Sequence, residues 1–246
     1  VLQTVFLPLC CAGANSALTV TGGTHVPWSP AYHYLDWHWL TYMRQIGLDG
    51  ELTLERAGFY PRGGGILHAS IRAGMDISPL HLLQRGQLER VRILSAVSSL
   101  PDSIAERQRD RSLERLKHLG CELEAELKRL PEGAPGTLLL LLAEFERAQA
   151  CFTALGQRGK PAERVADEAV KDLMAHLAAE GALDGFLADQ LLLPLAFSNA
   201  SSEYTTSLVS QHLLSNAQVV QAFTAARIEV DGGLGKAGRI KVTPLS

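Results

Sequence analysis

Short stretches of alternating apolar and polar positions are separated along this chain by stretches in which apolar residues recur every three or four positions. Residues 1 to 13 are small and apolar and predict a buried helix. Ser16 to Thr21 alternates and ends in Gly22-Gly23, a strand and a turn. From Pro30 to Ile46, residues Tyr34, Trp37, Leu40, Thr41 and Ile46 fall at helical spacing, with Pro30 suited to a first turn. Gly50 to Arg56 and Ile66 to Ala73 alternate as strands on either side of a glycine-rich run. Further on, residues 164 to 180 predict an amphipathic helix and 186 to 199 a second, largely apolar one. Ser201 to Ser210 reads as a strand, 211 to 226 as a helix, and Arg227 to Asp231 with Arg239 to Thr243 as a closing strand pair. The order of strands and helices in the first part thus recurs in the last, although the two parts share too few letters to establish a repeat.

The pattern changes between these parts. Val91 to Ser98 is a strand, and Pro101 opens a helix of alternating charge from Glu106 to Lys117. Glu122 to Leu130 alternates, a Pro-Gly turn follows at 131 to 136, and Gly136 to Phe145 contains the run Leu138 to Ala143, which reads as a buried strand. Residues 151 to 157 add another short strand. The expectation is an α+β chain with a main domain of residues 1–87 and 163–246 and a small inserted αβ domain, 88–162.

Composition narrows the function without choosing it. The 246 residues are 46% hydrophobic and 20% charged, ordinary for a globular chain with a sizeable core. The net charge of -3 gives no global basic footprint, so a nucleic-acid partner would have to be met by a local patch or through its end. The four cysteines form no CxxC pair and no zinc-like spacing, and Cys10 and Cys11 read as buried thiols in a reducing cytoplasm. No apolar run reaches membrane-spanning length. The sequence opens at Val1, without methionine, inside an apolar run, and is expected to be the C-terminal portion of a longer protein.

The most informative run is Gly58-Phe59-Tyr60-Pro61-Arg62-Gly63-Gly64-Gly65. On physical grounds it is either a plain glycine turn or a backbone that must pass close to another group such as a phosphate, with Arg56 and Arg62 beside it. Its arrangement resembles the signature of RNA 3'-terminal phosphate cyclases, Gly-x-x-Pro-x-Gly-Gly-Gly before an apolar residue, here Ile66. Two further stretches fit that family in the same order. They are Gly22-Gly23-Thr24 with Pro27 and Pro30, and Phe186-Leu187-Ala188-Asp189-Gln190-Leu191 followed by His212-Leu213-Leu214-Ser215-Asn216.

The resemblance implies repeated βαβαββ units like the C-terminal domain of translation initiation factor three, with the small insert. It implies ATP, with Mg2+ or Mn2+, as cofactor and RNA bearing a 3'-phosphate as substrate. His212 would take up AMP. Phe186, Leu187, Ala188, Asp189 and Gln190 would bind the nucleotide, with Phe186 stacking on adenine and Asp189 on the ribose. Gln3, Pro30 and Tyr34 would line the rest of that pocket. Arg62, Gly63, Gly64 and Gly65 would meet the RNA phosphate. Without the resemblance, His212 is a polar residue near a helix cap, Asp189 and Gln190 a capping pair, Gln3 a satisfied core amide, and Pro30 with Tyr34 a helix start and a core aromatic. Asn216 either orients the site or decorates its helix. The family pattern has Arg or His where this chain has Ala57. No metal-ligand set is found, and the acidic metal ligand, with several phosphate-binding arginines, is expected in a separate N-terminal segment. The remaining histidines show no clustering, and His68, His81, His118 and His176 read as surface or strand residues. Two other functions fit the same scaffold: a cyclase-like protein without adenylation that serves as an RNA-binding or ribosome-assembly factor, and a small-molecule enolpyruvyl transferase.

Overall fold

The computed structural model describes residues 1–74 and 76–244. Helix α1 (Leu2–Cys10) buries Leu2, Phe6, Leu7 and Cys10 along one side. Cys11, expected to be buried beside Cys10, is exposed, because successive residues at the end of a helix point to different sides. Strand β1 (Ser16–Gly22) follows, then a helix in three parts: α2 (Tyr32–Tyr34), a π-helical turn Leu35–Trp39, and α3 (Leu40–Gln45). The helix starts two residues later than the proline suggests. Ala31, in extended conformation, is its N-cap, so Pro30 stands outside the first turn. Strands β2 (Gly50–Arg56) and β3 (Gly65–Ile71) complete an antiparallel sheet in the order β1-β3-β2. Phe6 meets Trp39 edge to face at 4.8 Å, which locks α1 onto the three-part helix.

A two-residue strand, β4 (His81–Leu82), leads into the middle of the chain. Here β5 (Leu88–Ser98), α4 (Asp102–Leu116), β6 (Glu122–Arg129), β7 (Gly136–Phe145) and β8 (Gln149–Leu155) give a sheet in the order β6-β5-β7-β8. The unbroken run Leu138 to Ala143 has a simple cause: β7 is central and buried on both faces. Leu138, Leu140 and Leu142 face the larger core, and Leu139, Leu141 and Ala143 face a second core. Each buried leucine contributes about 2 kcal/mol by its removal from water.

Helix α5 (Ala162–Ala178) packs on the sheet β6-β5-β7-β8. Val165, Ala166, Ala169, Val170 and Leu173 belong to the second core, with Val91, Ile93, Leu139 and Leu141 of the inserted sheet. The four-residue apolar spacing that predicts this helix does not say which sheet it covers. The charges of α4 pair across to it, Arg107 with Glu163 and Arg111 with Asp167. His176, expected at the surface, is buried near the end of α5 and meets Ser207 Oγ at 2.8 Å.

The last part holds α6 (Gly185–Gln190), α7 (Leu192–Leu195), β9 (Ser202–Thr206), α8 (Gln211–Phe223), β10 (Arg227–Asp231) and β11 (Gly238–Thr243). The single helix expected over 186–199 is broken at Leu191, where Pro194 has no N–H to continue the ladder. The strand expected over 201–210 stops at Thr206, leaving Ser210 free to cap α8. The second sheet runs β10-β11-β9-β4, with β4 parallel to β9. Both antiparallel sheets therefore share one connectivity, strand, helix, hairpin, with the third strand between the first and second.

One arginine ties these parts together. Arg85 Nη1 donates to the carbonyls of His176 and Gly181, and Nη2 to those of Leu177 and Ala179. It thereby satisfies the open end of α5. Arg85→Met is expected to lower stability by about 3 kcal/mol, since charge-assisted bonds to half-buried carbonyls are lost, and urea denaturation would measure it. An unchanged midpoint would show that water replaces the guanidinium.

Candidate functional site

Helix α6 owes its start to Asp184, whose buried Oδ1 accepts the N–H groups of Phe186 and Leu187, each at 3.0 Å. Burial pushes this carboxyl up, and the facing His38 with the Leu187 N–H outweighs it, so the group sits below the ordinary carboxylate value. The cap fixes which side of α6 is free. Leu187 and Ala188 are fully buried, and the Ala188 carbonyl already accepts Tyr204 Oη at 2.7 Å. Phe186 is 70% exposed. Asp189 and Gln190, three and four residues after it, share its side of the helix at the C-terminal end. The alternative in which these two cap the helix start is thus removed, because Asp184 does that.

Three helices converge here. Asn216 of α8 donates through Nδ2 to Asp189 Oδ1 at 2.9 Å and to the Asp189 carbonyl at 3.3 Å. Asn216 is therefore bonded to α6 and does not merely decorate its own helix. Tyr34 Oη of α2 reaches Gln190 Oε1 at 3.5 Å, the long limit of a hydrogen bond. Burial raises the Asp189 carboxyl above its ordinary value, opposed by the Asn216 bond and by the charge of His212. His212 is exposed at the second position of α8, whose N-cap Ser210 accepts the Leu213 N–H at 3.1 Å. Its neighbouring N–H groups carry the positive end of the helix dipole. Tyr34, Phe186, Asp189, Gln190, His212 and Asn216 thus form one cluster.

Other expected residues stand apart from it. Gln3 on α1 is half-buried, and its Nε2 is buried without a hydrogen-bond partner among the described residues. Pro30 is half-exposed. No hydrogen bond joins Gln3, Pro30 or the glycine run to α6 or α8 among the described residues.

In the glycine run each glycine except Gly64 meets chain of its own. A Cβ on Gly58 would lie 2.5 Å from the Gly22 carbonyl, and one on Gly65 would lie 2.7 Å from the Gly58 nitrogen. Gly63 and Gly64 hold φ of 60° and 70°, a conformation that favours glycine, and Gly64 borders open space. The close approach inferred from the letters is thus first an approach to Gly22 and Thr24. Arg56 and Arg62 are exposed and form no ion pair among the described residues.

Beneath this loop lies a pair of histidines that the sequence does not bring together. Thr24 Oγ1 accepts the Gly58 N–H at 2.9 Å and meets His25 Nδ1 at 2.8 Å. His25 Nε2 meets His33 Nδ1 at 3.2 Å, and the His25 ring stacks on Phe59. Burial drives His25 down to about 3 and His33 to about 2, so both are neutral and brace the loop. Among the described residues no group of three or more His, Cys, Asp or Glu side chains could hold a metal ion.

Comparison with known proteins gives the family of the chain. The family model for RNA 3'-terminal phosphate cyclase matches residues 1–230. The chain is 37% identical over 231 residues to an RNA 3'-terminal phosphate cyclase of Gloeothece citriformis, covering 94% of this chain and 66% of that protein. It is 39% identical over 231 residues to the one from Methylococcus capsulatus, covering 94% and 64%. It is 36% identical over 245 residues to the one from Thermococcus gammatolerans, covering 98% and 70%. The chain belongs to the RNA 3'-terminal phosphate cyclase family, and spans a little under two thirds of the length of the first two relatives.

Sequence reasoning missed Asp184, although an Asp-Gly before an apolar run is a helix-start signal. The Asn216 contact gives a direct test of the cluster. Asn216→Ala is expected to raise the Asp189 pKa further, because the bond that favours the carboxylate is lost, and carbon-13 NMR titration of the aspartate carboxyls would record it. An unmoved Asp189 would mean that burial alone sets its titration.

Proposed function

We propose that this chain carries the nucleotide-binding and nucleophilic part of an ATP-dependent RNA 3'-terminal phosphate cyclase. The observation that carries the reading is the bond of Asn216 on α8 to Asp189 on α6, the helix that bears exposed Phe186 and Gln190, with exposed His212 one turn before Asn216 on α8. The names of the relatives support RNA ends as the substrate class. In this reading Phe186 stacks on the adenine, Tyr34 and Pro30 line its other side, Asp189 holds the ribose, and Gln190 lies toward the phosphates. The unpartnered amide of Gln3 is an unmet donor for the same ligand.

One ring nitrogen of His212 attacks the α-phosphorus of ATP, a phosphorus–nitrogen bond forms, and pyrophosphate leaves with the bonding pair. The α8 N–H groups offset charge on the phosphate. An oxygen of the RNA 3'-phosphate then displaces the histidine from the AMP phosphorus. The adjacent 2'-hydroxyl attacks the activated 3'-phosphate, loses its proton and expels AMP, giving the 2',3'-cyclic end. That hydroxyl is already beside the phosphorus, so ring closure needs little further ordering. Arg62 with Gly63, Gly64 and Gly65 is assigned to the RNA phosphate. Among the described residues no group of three or more His, Cys, Asp or Glu side chains could hold the divalent metal, Mg2+ or Mn2+.

The test is intact-mass spectrometry of the full-length protein with ATP and a divalent metal. One AMP is expected on the wild type, mapped to His212, and none on His212→Ala. AMP uptake by His212→Ala would end the nucleophile assignment, and no uptake by the wild type would favour an RNA-binding role without adenylation. Asp189→Asn is expected to weaken ATP binding without lowering stability at neutral pH. A raised carboxylate pKa opposes folding above it, and the amide removes that opposition. Calorimetric titration and thermal melting would read the two effects, and unchanged ATP affinity would take Asp189 out of the pocket.

A further inference from the structure

His38 is fully buried in the π-helical turn, at a position to which neither the glycine run nor the nucleotide cluster assigns a task. Its Nε2 meets Asp184 Oδ2 at 2.7 Å. Its Nδ1 lies 3.2 Å from Gln149 Nε2, and that same amide nitrogen donates to the Trp37 carbonyl at 2.9 Å. An amide nitrogen has two hydrogens and no acceptor site, so Gln149 donates one to Trp37 and one to His38. The imidazole therefore accepts at Nδ1 and carries its proton on Nε2, which donates to Asp184. Gln149 is itself fixed, since its N–H donates to Tyr42 Oη at 2.9 Å and its carbonyl accepts from that hydroxyl at 3.0 Å. His38 and Asp184 are buried, and Gln149 is half-buried.

Two members of this chain, Asp184 and His38, adjoin elements that carry the nucleotide cluster. Asp184 starts α6, which carries Phe186, Asp189 and Gln190. Tyr34 packs edge-on against the His38 ring at 5.1 Å, one turn back along its own helix. We propose that His38 is a positioning residue of the nucleotide pocket, holding α6 in register with Tyr34 and relaying the order of the inserted sheet, through Gln149, to the adenine side of the site. This rests on the nucleotide reading above. It goes beyond it by naming a residue that touches no substrate and by giving the inserted sheet a part in ATP binding.

The test compares His38→Phe and His38→Gln in full-length protein, with the ATP concentration for half-maximal AMP uptake, the rate at saturating ATP, and the melting temperature as readouts. Phenylalanine fills the space and removes the donor. A glutamine amide can present N–H near the former Nε2. His38→Phe is expected to raise the half-saturating ATP concentration about tenfold while the saturated rate falls far less, since a displaced helix costs binding alignment. His38→Gln should recover most of the loss. A loss of rate at unchanged half-saturation, or no recovery by glutamine in a protein that melts like the wild type, would overturn the proposal. Should His38→Phe fail to fold, Gln149→Met decides: a rise of roughly threefold is expected from an imidazole no longer held in one tautomer, and the wild-type value would overturn it. If the wild type itself takes up no AMP, the nucleotide reading fails and this proposal with it. If the wild type is active and the variants bind ATP equally well, this proposal alone fails.

Discussion

A carboxylate removed from water costs several kcal/mol unless hydrogen bonds replace its hydration. Asp184 meets that demand from two directions, with two N–H groups of α6 on one oxygen and the His38 imidazole on the other. The cost of leaving any one of them unmade is what holds two distant stretches of chain in a single arrangement. Helix α6 has only six residues and little stability of its own, so its direction comes from this cap and from the buried Leu187 and Ala188. The exposed ring of Phe186 and the placement of Asp189 against Asn216 follow from that direction.

The glycine loop is held by different means. Ala57 is fully buried, its N–H donates to the Pro131 carbonyl at 3.2 Å, and its carbonyl accepts the Ala134 N–H at 3.0 Å. A Cβ on Gly133 would fall 1.9 Å from that Ala57 carbonyl, and one on Gly136 would fall 2.1 Å from the Phe59 ring. The β6–β7 turn is thus pressed against the loop's stem from one side, while Thr24, His25 and His33 support it from another.

Much of this was legible in the letters, for identifiable reasons. Alternation fixes β1, β2 and β3 because each has one covered face, and the uniform apolar run of β7 announces a strand covered on both. His212 could be assigned to a helix start because the helical spacing after it is local, whereas Ser210, expected as the end of a strand, is the cap of that helix. What escaped depends on partners far along the chain. His38 reads as an ordinary helical histidine until Asp184 is brought to it across 146 positions. His25 and His33 pair through a turn that no periodicity describes. The attachment of α5 to the inserted sheet is equally invisible, because an amphipathic helix declares that it will be covered and not by what.

The leucines of β7 face two cores at once, and this layer belongs to neither part alone. Excising the inserted sheet with its helices would leave Leu138, Leu140 and Leu142 bare on one piece and a matching apolar hollow on the other. The insert is therefore not a cassette that could be traded between proteins or trimmed away at a linker. It is a shared wall, and a change in its thickness on the helical side, a bulkier residue at Ala166 or Ala169 for instance, would press through it toward the side that carries the site.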